Sequence, residues 1–330
     1  VRNSVLAVLL TASLASAAVA ADRNPRSLAR PDVVAPGHIY VHQFVDVKGI
    51  KEATTKIFVS DAANNVVDIY NTAGKQLAQL TGFSEPQGLA TDSKGNLYVA
   101  DTANSRIQVY APPYTKTPKS YADSGQYPAG VSVTIVGKVT YVGVTNIIST
   151  SGGPGSVTIY KNGKAGAAIS NSNFGRVYFD SFDASGNLYI DGENSSGAVV
   201  VGEIAKATTT GKKIAVLKTK NSIEFPGGIE VTTKGLIAID DQDAATVYSY
   251  KAPVKGSLGN PAHTTPVTGS SDAVTFAFTS TNADLWTADA GNEDSAEFAY
   301  PKGGSALHSI PVTGGEPIGV AIVPAEVPGK

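Results

Sequence analysis

Apolar residues along the chain fall into short runs separated by turns rich in glycine, serine, asparagine and aspartate. One such run recurs six times: Ile57-Phe-Val-Ser-Asp61, Leu97-Tyr-Val-Ala-Asp101, Thr140-Tyr-Val-Gly-Val144, Leu188-Tyr-Ile-Asp191, Leu236-Ile-Ala-Ile-Asp240 and Leu285-Trp-Thr-Ala-Asp289. The starts lie 40, 43, 48, 48 and 49 residues apart. A period of this length, with only strand-like segments inside it, predicts the blades of a β-propeller. Leucine-rich repeats are shorter, and the 3.6-residue periodicity of helical repeats is missing.

Each repeat has the same internal order. Pro86-Gln-Gly-Leu-Ala-Thr91 reads as a first strand, Asp92-Ser-Lys-Gly95 as a tight turn, and Leu97 to Asp101 as a second strand. Arg106-Ile-Gln-Val-Tyr110 is the third, and a variable segment supplies the fourth. Asp183-Ala-Ser-Gly186 and Thr232-Thr-Lys-Gly235 repeat the turn, where glycine takes a positive φ without steric cost. The third strand closes on Tyr70, Tyr110, Tyr160, Tyr250 and Tyr300 in five repeats, a fixed position expected to pack between blades, as is Trp286.

First strands begin at Pro86, Pro128, Phe174, Pro226, Asp272 and Pro317. The last, Pro317 to Val323, has no second strand after it, and the repeat at Ile57 has no first strand before it. Joining the two closes a ring of six four-stranded blades, completed by the C-terminal strand, and removes the open sheet edge. The expected fold is thus an all-β six-bladed propeller over residues 38–330. His38 to Phe44 is left over as an extra edge strand, a piece packed across one face, or part of a seventh blade.

Residues 1–20 read as a signal peptide: Arg2, an apolar stretch, then the small-x-small site Ala18-Val19-Ala20. The mature chain is expected to begin near Ala21, with an extended segment over 21–37, and to be secreted or periplasmic. The 330 residues contain no cysteine, so stability rests on packing. A net charge of −2 without an arginine-lysine block argues against nucleic acid as a partner. No second run reaches the roughly 18 apolar residues of a membrane span. Lys212, Lys213, Lys218 and Lys220 form a modest basic patch, read as the solvated edge of the fourth blade protected against sheet pairing.

Pro-x-Gly-Leu/Val-Ala, then Asp-x-x-Gly-Asn-Leu-Tyr-Val-Ala-Asp, then Asn-x-x-Ile/Val-x-Val/Ile-Tyr resembles the NHL repeat. The best match runs from Pro86 to Tyr110, and Ile57 to Tyr70 is also good. The third repeat departs, with Val144 where the family pattern puts an aspartate. The resemblance extends over about residues 38–325 and to the broader SMP-30/gluconolactonase/NHL-like propellers. It implies a fold more than a function, because such propellers bind proteins, sugars or RNA and also catalyse reactions.

The recurrent Asp61, Asp101, Asp191, Asp240 and Asp289 stand after the second strand, where a carboxylate accepts N–H bonds from the next turn. They are read as structural repeat residues. The resemblance to metal-dependent lactonases directs attention to Glu85, Asn146, Glu224 and Asp272 near strand ends. The resemblance to NHL-type amidating lyases would require channel histidines, but His38, His42, His263 and His308 lie outside first strands. Gly152-Gly-Pro-Gly155 has no helix behind it and reads as a connection rather than a phosphate loop. The longer loops, Asn146–Gly155 and Asn194–Gly197, are the expected contact surface, with Tyr141, Asn146, Phe174 and Arg176 as possible binding-face residues. The reading is an exported, monomeric, non-catalytic module binding protein or carbohydrate, without a cofactor. The alternative is a metal-dependent lactonase-like hydrolase with a single divalent cation such as calcium in the channel.

Overall fold

The computed structural model describes residues 55–324. The leader, the 21–37 segment and His38 to Phe44 lie outside the described residues. Within 55–324 the chain forms six antiparallel sheets arranged as a six-bladed propeller. Blade 1 pairs Pro317–Val323 with Lys56–Asp61, followed by Val66–Asn71 and Gln76–Leu80. The C-terminal strand therefore closes the ring as expected.

Blade 2 comprises Pro86–Thr91, Leu97–Asp101, Arg106–Tyr110 and Lys119–Ala122. Blade 3 has two long inner strands, Gln126–Val136 and Val139–Ser149, then Ser156–Lys161 and Lys164–Ala165. Blade 4 comprises Arg176–Phe182, Leu188–Glu193, Val199–Ile204 and Ala215–Thr219. Blade 5 comprises Pro226–Val231, Ile237–Asp241, Thr246–Tyr250 and His263–Thr268. Blade 6 comprises Ala273–Phe278, Asp284–Asp289, Asp294–Ala299 and His308–Pro311.

Two additions were not legible in the repeat. Ser257–Gly259, from the outer connection of blade 5, runs parallel to the outermost strand of blade 4. Gly304–Ser305, from blade 6, does the same for blade 5. Among the described residues no helix is long and apolar enough to cross a membrane.

Six buried clusters hold the ring together, one between each pair of neighbouring blades. Tyr70, Tyr110, Tyr160 and Tyr250 are each buried in one of them, and Trp286 packs between blades 6 and 1. Tyr300 stands at the margin with its ring edge against Phe278, centroids 4.7 Å apart.

At the hub, every first strand carries a register irregularity against its second strand at the same place. This β-bulge is what the Pro-x-Gly pattern encodes, because the extra residue bends the strand and brings neighbouring backbones close. A Cβ on Gly88 would lie 2.4 Å from the carbonyl oxygen of Ala129 in blade 3. One on Gly319 would lie 2.2 Å from the carbonyl oxygen of Gln87 in blade 2. Glycine is required there by approach rather than by φ.

Candidate binding face

Each first strand begins on one face of the disk, here the entry face, and ends on the other, the exit face. The fourth-to-first and second-to-third connections lie on the entry face. The last residue of the second strand ties them together. In blade 2, Asp101 Oδ1 accepts the Ser84 N–H at 2.7 Å, and Oδ2 accepts Arg106 Nε at 2.6 Å and Gln108 Nε2 at 2.8 Å. Asp61 accepts N–H groups from Asn64 at 3.1 Å and Glu316 at 3.0 Å. Asp289 accepts those of Ser271, Asp272 and Asn292, each at 3.0 Å. One carboxylate thus binds the incoming loop and its own turn together, which fixes the loops before any ligand arrives.

In blade 5 this position belongs to Asp241, which accepts N–H bonds from Glu224 at 3.0 Å and Phe225 at 3.2 Å. Asp240 is one residue short of it. The corresponding residue is Asn146 in blade 3, opposite Pro128, and Gly192 in blade 4, opposite Val177. The expected alignment of Asp191, Asp240 and Val144 with Asp101 is therefore corrected by one, one and two residues. A strand's side chains alternate faces, so a one-residue slip sends a carboxyl into the hub instead of the loops.

Asp191 and Asp240 stand where blades 1 and 3 carry Ser60 and Thr145. Those hydroxyls each donate to an inner-strand carbonyl of the next blade at 2.6 Å, Ser60 to Gln87 and Thr145 to Tyr178. They also accept the N–H of Gly319 at 2.7 Å and Gly130 at 2.9 Å. Asp191 Oδ1 likewise accepts the Phe179 N–H at 3.0 Å. Both aspartates are fully buried, and burial raises their pKa well above the ordinary carboxylate range. For Asp240 the adjacent Asp241 charge adds to the rise. Asp180, which lines the channel and accepts the Ser132 hydroxyl, is pushed by burial up to about 7.

The channel itself is narrow. Cavities of ≈ 70 Å³ at the exit mouth and ≈ 20 Å³ deeper lie along it. A single water needs roughly 10–15 Å³ of such space, so the axis holds a few waters and no organic substrate. Aliphatic residues line it, but the surface turned to the cavities is mainly polar, with Asp180 and Glu230 as the carboxyls; Ser181 Oγ donates to Glu230 Oε2 at 3.2 Å. Among the described residues, no three His, Cys, Asp or Glu side chains gather into a group able to hold a metal ion.

The larger opening is a groove of ≈ 670 Å³ on the entry side of blade 4. Val199, Val201, Leu217 and Ile223 line it among Ser196, Thr219, Asn221, Ser222 and the sequence-predicted Glu224, and the surface it presents is mainly polar. Asn221 is held by the Tyr250 hydroxyl, which donates to Oδ1 at 2.7 Å. The adjoining Tyr178 hydroxyl donates to Glu193 Oε2 at 2.7 Å. Burial of this tyrosine and the neighbouring Glu193 charge raise its pKa.

The residues singled out from the sequence are not brought together. Phe174 is 1% exposed in the core between blades 3 and 4. Tyr141 lies in the same cluster toward the exit side, with Lys161 Nζ 5.9 Å from its ring centroid. Asn146 is buried, its Nδ2 donating to Ser156 and Thr158 at 3.2 Å. Only Arg176 is exposed on the entry face. Glu85, Asn146, Glu224 and Asp272 belong to four different blades or their lead-in loops. His263 and His308 lie on outer strands, and His38 and His42 lie outside the described residues. Sequence reasoning missed Asp241; of the expected contact loops, Asn194–Gly197 lends Ser196 and Gly197 to the groove, which Glu224 also lines. In blades 1, 2, 3 and 5 the tyrosine closing the third strand marks the register, since Tyr110 faces Leu97 and Tyr250 faces Ile237 rather than Leu236; in blade 6 that place belongs to Phe298, opposite Leu285, and the expected Tyr300 lies beyond the strand.

A closed ring of six bulged blades, four of them tied by an aspartate, defines the class: a six-bladed β-propeller built from a single sequence repeat. The NHL repeat family model matches residues 83–110, in blade 2, and the chain folds as a six-bladed β-propeller. No curated protein matches the sequence significantly. Among solved structures, a chain of the nidogen/laminin complex is similar at 13% identity and a TM-score of 0.64, covering 81% of this chain and 98% of that one. A protein of unknown function from Bacteroides caccae is similar at 12% identity and a TM-score of 0.59, covering 82% and 99%. Virginiamycin B lyase from Staphylococcus aureus is similar at 14% identity and a TM-score of 0.53, covering 83% and 89%. At these identities the likeness is one of fold.

Proposed function

We propose that the protein is an exported, monomeric, non-catalytic binding or scaffold module, with a protein or glycan ligand seated on the entry face over blades 4 and 5. The observation that carries this reading is the ≈ 670 Å³ groove, where aliphatic side chains stand among hydroxyl, amide and carboxylate groups, beside a channel whose exit-mouth cavity is only ≈ 70 Å³. Rigid scaffolds commonly place recognition on their loops, and Asp241 fixes the Glu224–Phe225 side of the groove here. The likeness to a chain of the nidogen/laminin complex supports a protein ligand in particular. No cofactor is assigned.

The rival is a hydrolase with a divalent cation such as calcium at the channel. Catalysis does occur on this fold, as the lyase neighbour's name states. Against it here, no three His, Cys, Asp or Glu side chains among the described residues converge into a group able to hold an ion.

The test is to screen the purified chain against a displayed peptide library and a glycan array. Hits are then repeated with Ser196→Arg/Thr219→Arg, which fills the groove. Loss of the hit in the double variant is expected. A hit that survives it moves the ligand elsewhere, and calcium-dependent lactone turnover in the unmodified chain would establish the rival.

A further inference from the structure

The lysines of blade 4 call for a different account once the strand pairing is known. Lys212, Lys213, Lys218 and Lys220 precede, occupy and follow the strand Ala215–Thr219, and all four are exposed. A lysine-guarded sheet edge explains them only if that edge is open. It is not open: Ser257–Gly259 runs parallel to it, Lys218 faces Ser257, and the Lys218 N–H donates to the Gly256 carbonyl at 2.9 Å.

The same pairing brings a second basic segment alongside. Lys251 and Lys255 are exposed on the connection that leads into Ser257–Gly259. Residues 205–222 and 251–268 together contain seven lysines and no aspartate or glutamate. This stands against a chain whose overall balance is −2, so positive charge is segregated onto the outer wall of blade 4. Such segregation suits a polyanionic surface.

Two further features decide which polyanion. The segments contain no Phe, Tyr or Trp on which bases or sugar rings would stack. Instead, aliphatic side chains stand among the lysines: Val216, on the same face of its strand as Lys218 and 40% exposed, and Val254, beside Lys255 and 71% exposed. Val216 and Val254 are two of the four large apolar residues exposed among the described residues. Ammonium groups around exposed aliphatic side chains match a lipid headgroup layer, where the charges meet phosphates and the valines enter the acyl boundary.

We propose that the outer wall of blade 4 docks the protein reversibly on an anionic phospholipid surface, independently of the ligand groove. The test is co-sedimentation of the full chain with phosphatidylcholine vesicles containing or lacking phosphatidylglycerol, at low and high salt. Binding that requires phosphatidylglycerol and weakens with salt is expected. Lys218→Glu/Lys220→Glu should lower the partition coefficient at least about tenfold. Val254→Ser, which removes the aliphatic group without changing the charge, should lower vesicle binding while leaving retention on heparin unchanged. All these positions are exposed, so unchanged thermal unfolding of the variants certifies their folding. Comparing variants of one full chain cancels any contribution from segments outside the wall. Vesicle binding unaffected by the lysine pair overturns the proposal. Equal retention on heparin or DNA with no effect of Val254→Ser also overturns it, and makes the wall a general polyanion site.

Discussion

Blades 2 and 4 follow the same plan and differ where the plan has consequences. Blade 2 has Gly88 in the bulge and Asp101 tying its loops, with Arg106, Gln108 and Asn104 around that carboxylate. Blade 4 has Phe179 in place of the glycine and Gly192 in place of the aspartate. It also has the groove on its entry side and the lysine wall on its outer side. The regular blade is explained entirely by packing and hydrogen bonding. The irregular one breaks local rules of the repeat, and places where a sequence breaks its own rules are where function is expected.

The largest expected effect tests the tightness of the regular hub. Gly88→Ala puts a methyl group against the Ala129 carbonyl and the Gly130 Cα, both backbone atoms. A loss of about 3 kcal/mol or more is expected in urea unfolding, since neither neighbour can move aside alone. An unchanged midpoint would mean the inner strands are not in contact at the bulge.

Next come the loop ties. Asp101→Ala removes the acceptor for Ser84, Arg106 and Gln108, and should cost about 2–3 kcal/mol; Arg106 is 33% exposed, which keeps the loss below that of a fully buried pair. Asn146→Ala, at the corresponding place in blade 3, should cost about 1 kcal/mol. Equal losses at the two positions would erase the contrast between tied and untied blades.

The buried hub carboxyls set a pH dependence. Asp180, Asp191 and Asp240 hold protons more tightly folded than unfolded. Between the ordinary carboxylate pKa and about 7, the folded chain therefore binds more protons than the unfolded chain. Their contribution is full below the ordinary carboxylate pKa, declines across that window as pH rises, and is lost once pH passes the folded values. Thermal unfolding should show a higher midpoint at mildly acidic than at mildly alkaline pH. Asp240→Thr, which copies Thr145 of blade 3, should flatten that slope and stabilise the protein in alkali. A steeper slope in this variant would show that Asp240 is charged in the fold.

The smallest stability change belongs to the groove. Ser196→Arg/Thr219→Arg should leave unfolding within about 0.5 kcal/mol of the parent, because the groove is open to solvent. Any ligand signal should nonetheless disappear.

Much of this architecture was readable from the chain. The six recurrences, the turn glycines and the orphan strand at Pro317 led to six blades and to the closure that pairs Pro317–Val323 with Lys56–Asp61. The site was read less well. Phe174 and Tyr141 looked available for a ligand but are interblade core, because a ring beside a glycine-lined gap packs inward. Blades 3, 4 and 5 were read out of register because Val144, Asp191 and Asp240 each sit at a plausible strand end.

Local sequence determined the strands, their turns, their number and the way the ring closes, since these depend on period-2 patterning and on residues adjacent in the chain. Only the tertiary structure decided which carboxyl ties loops and which is buried in the hub, because one residue of register reverses a side chain's face. It also decided the width of the channel, the place of the groove, and the meeting of two lysine-bearing segments on one wall. Each of those depends on backbones from different blades coming within a few ångströms of one another, a distance that no single repeat encodes.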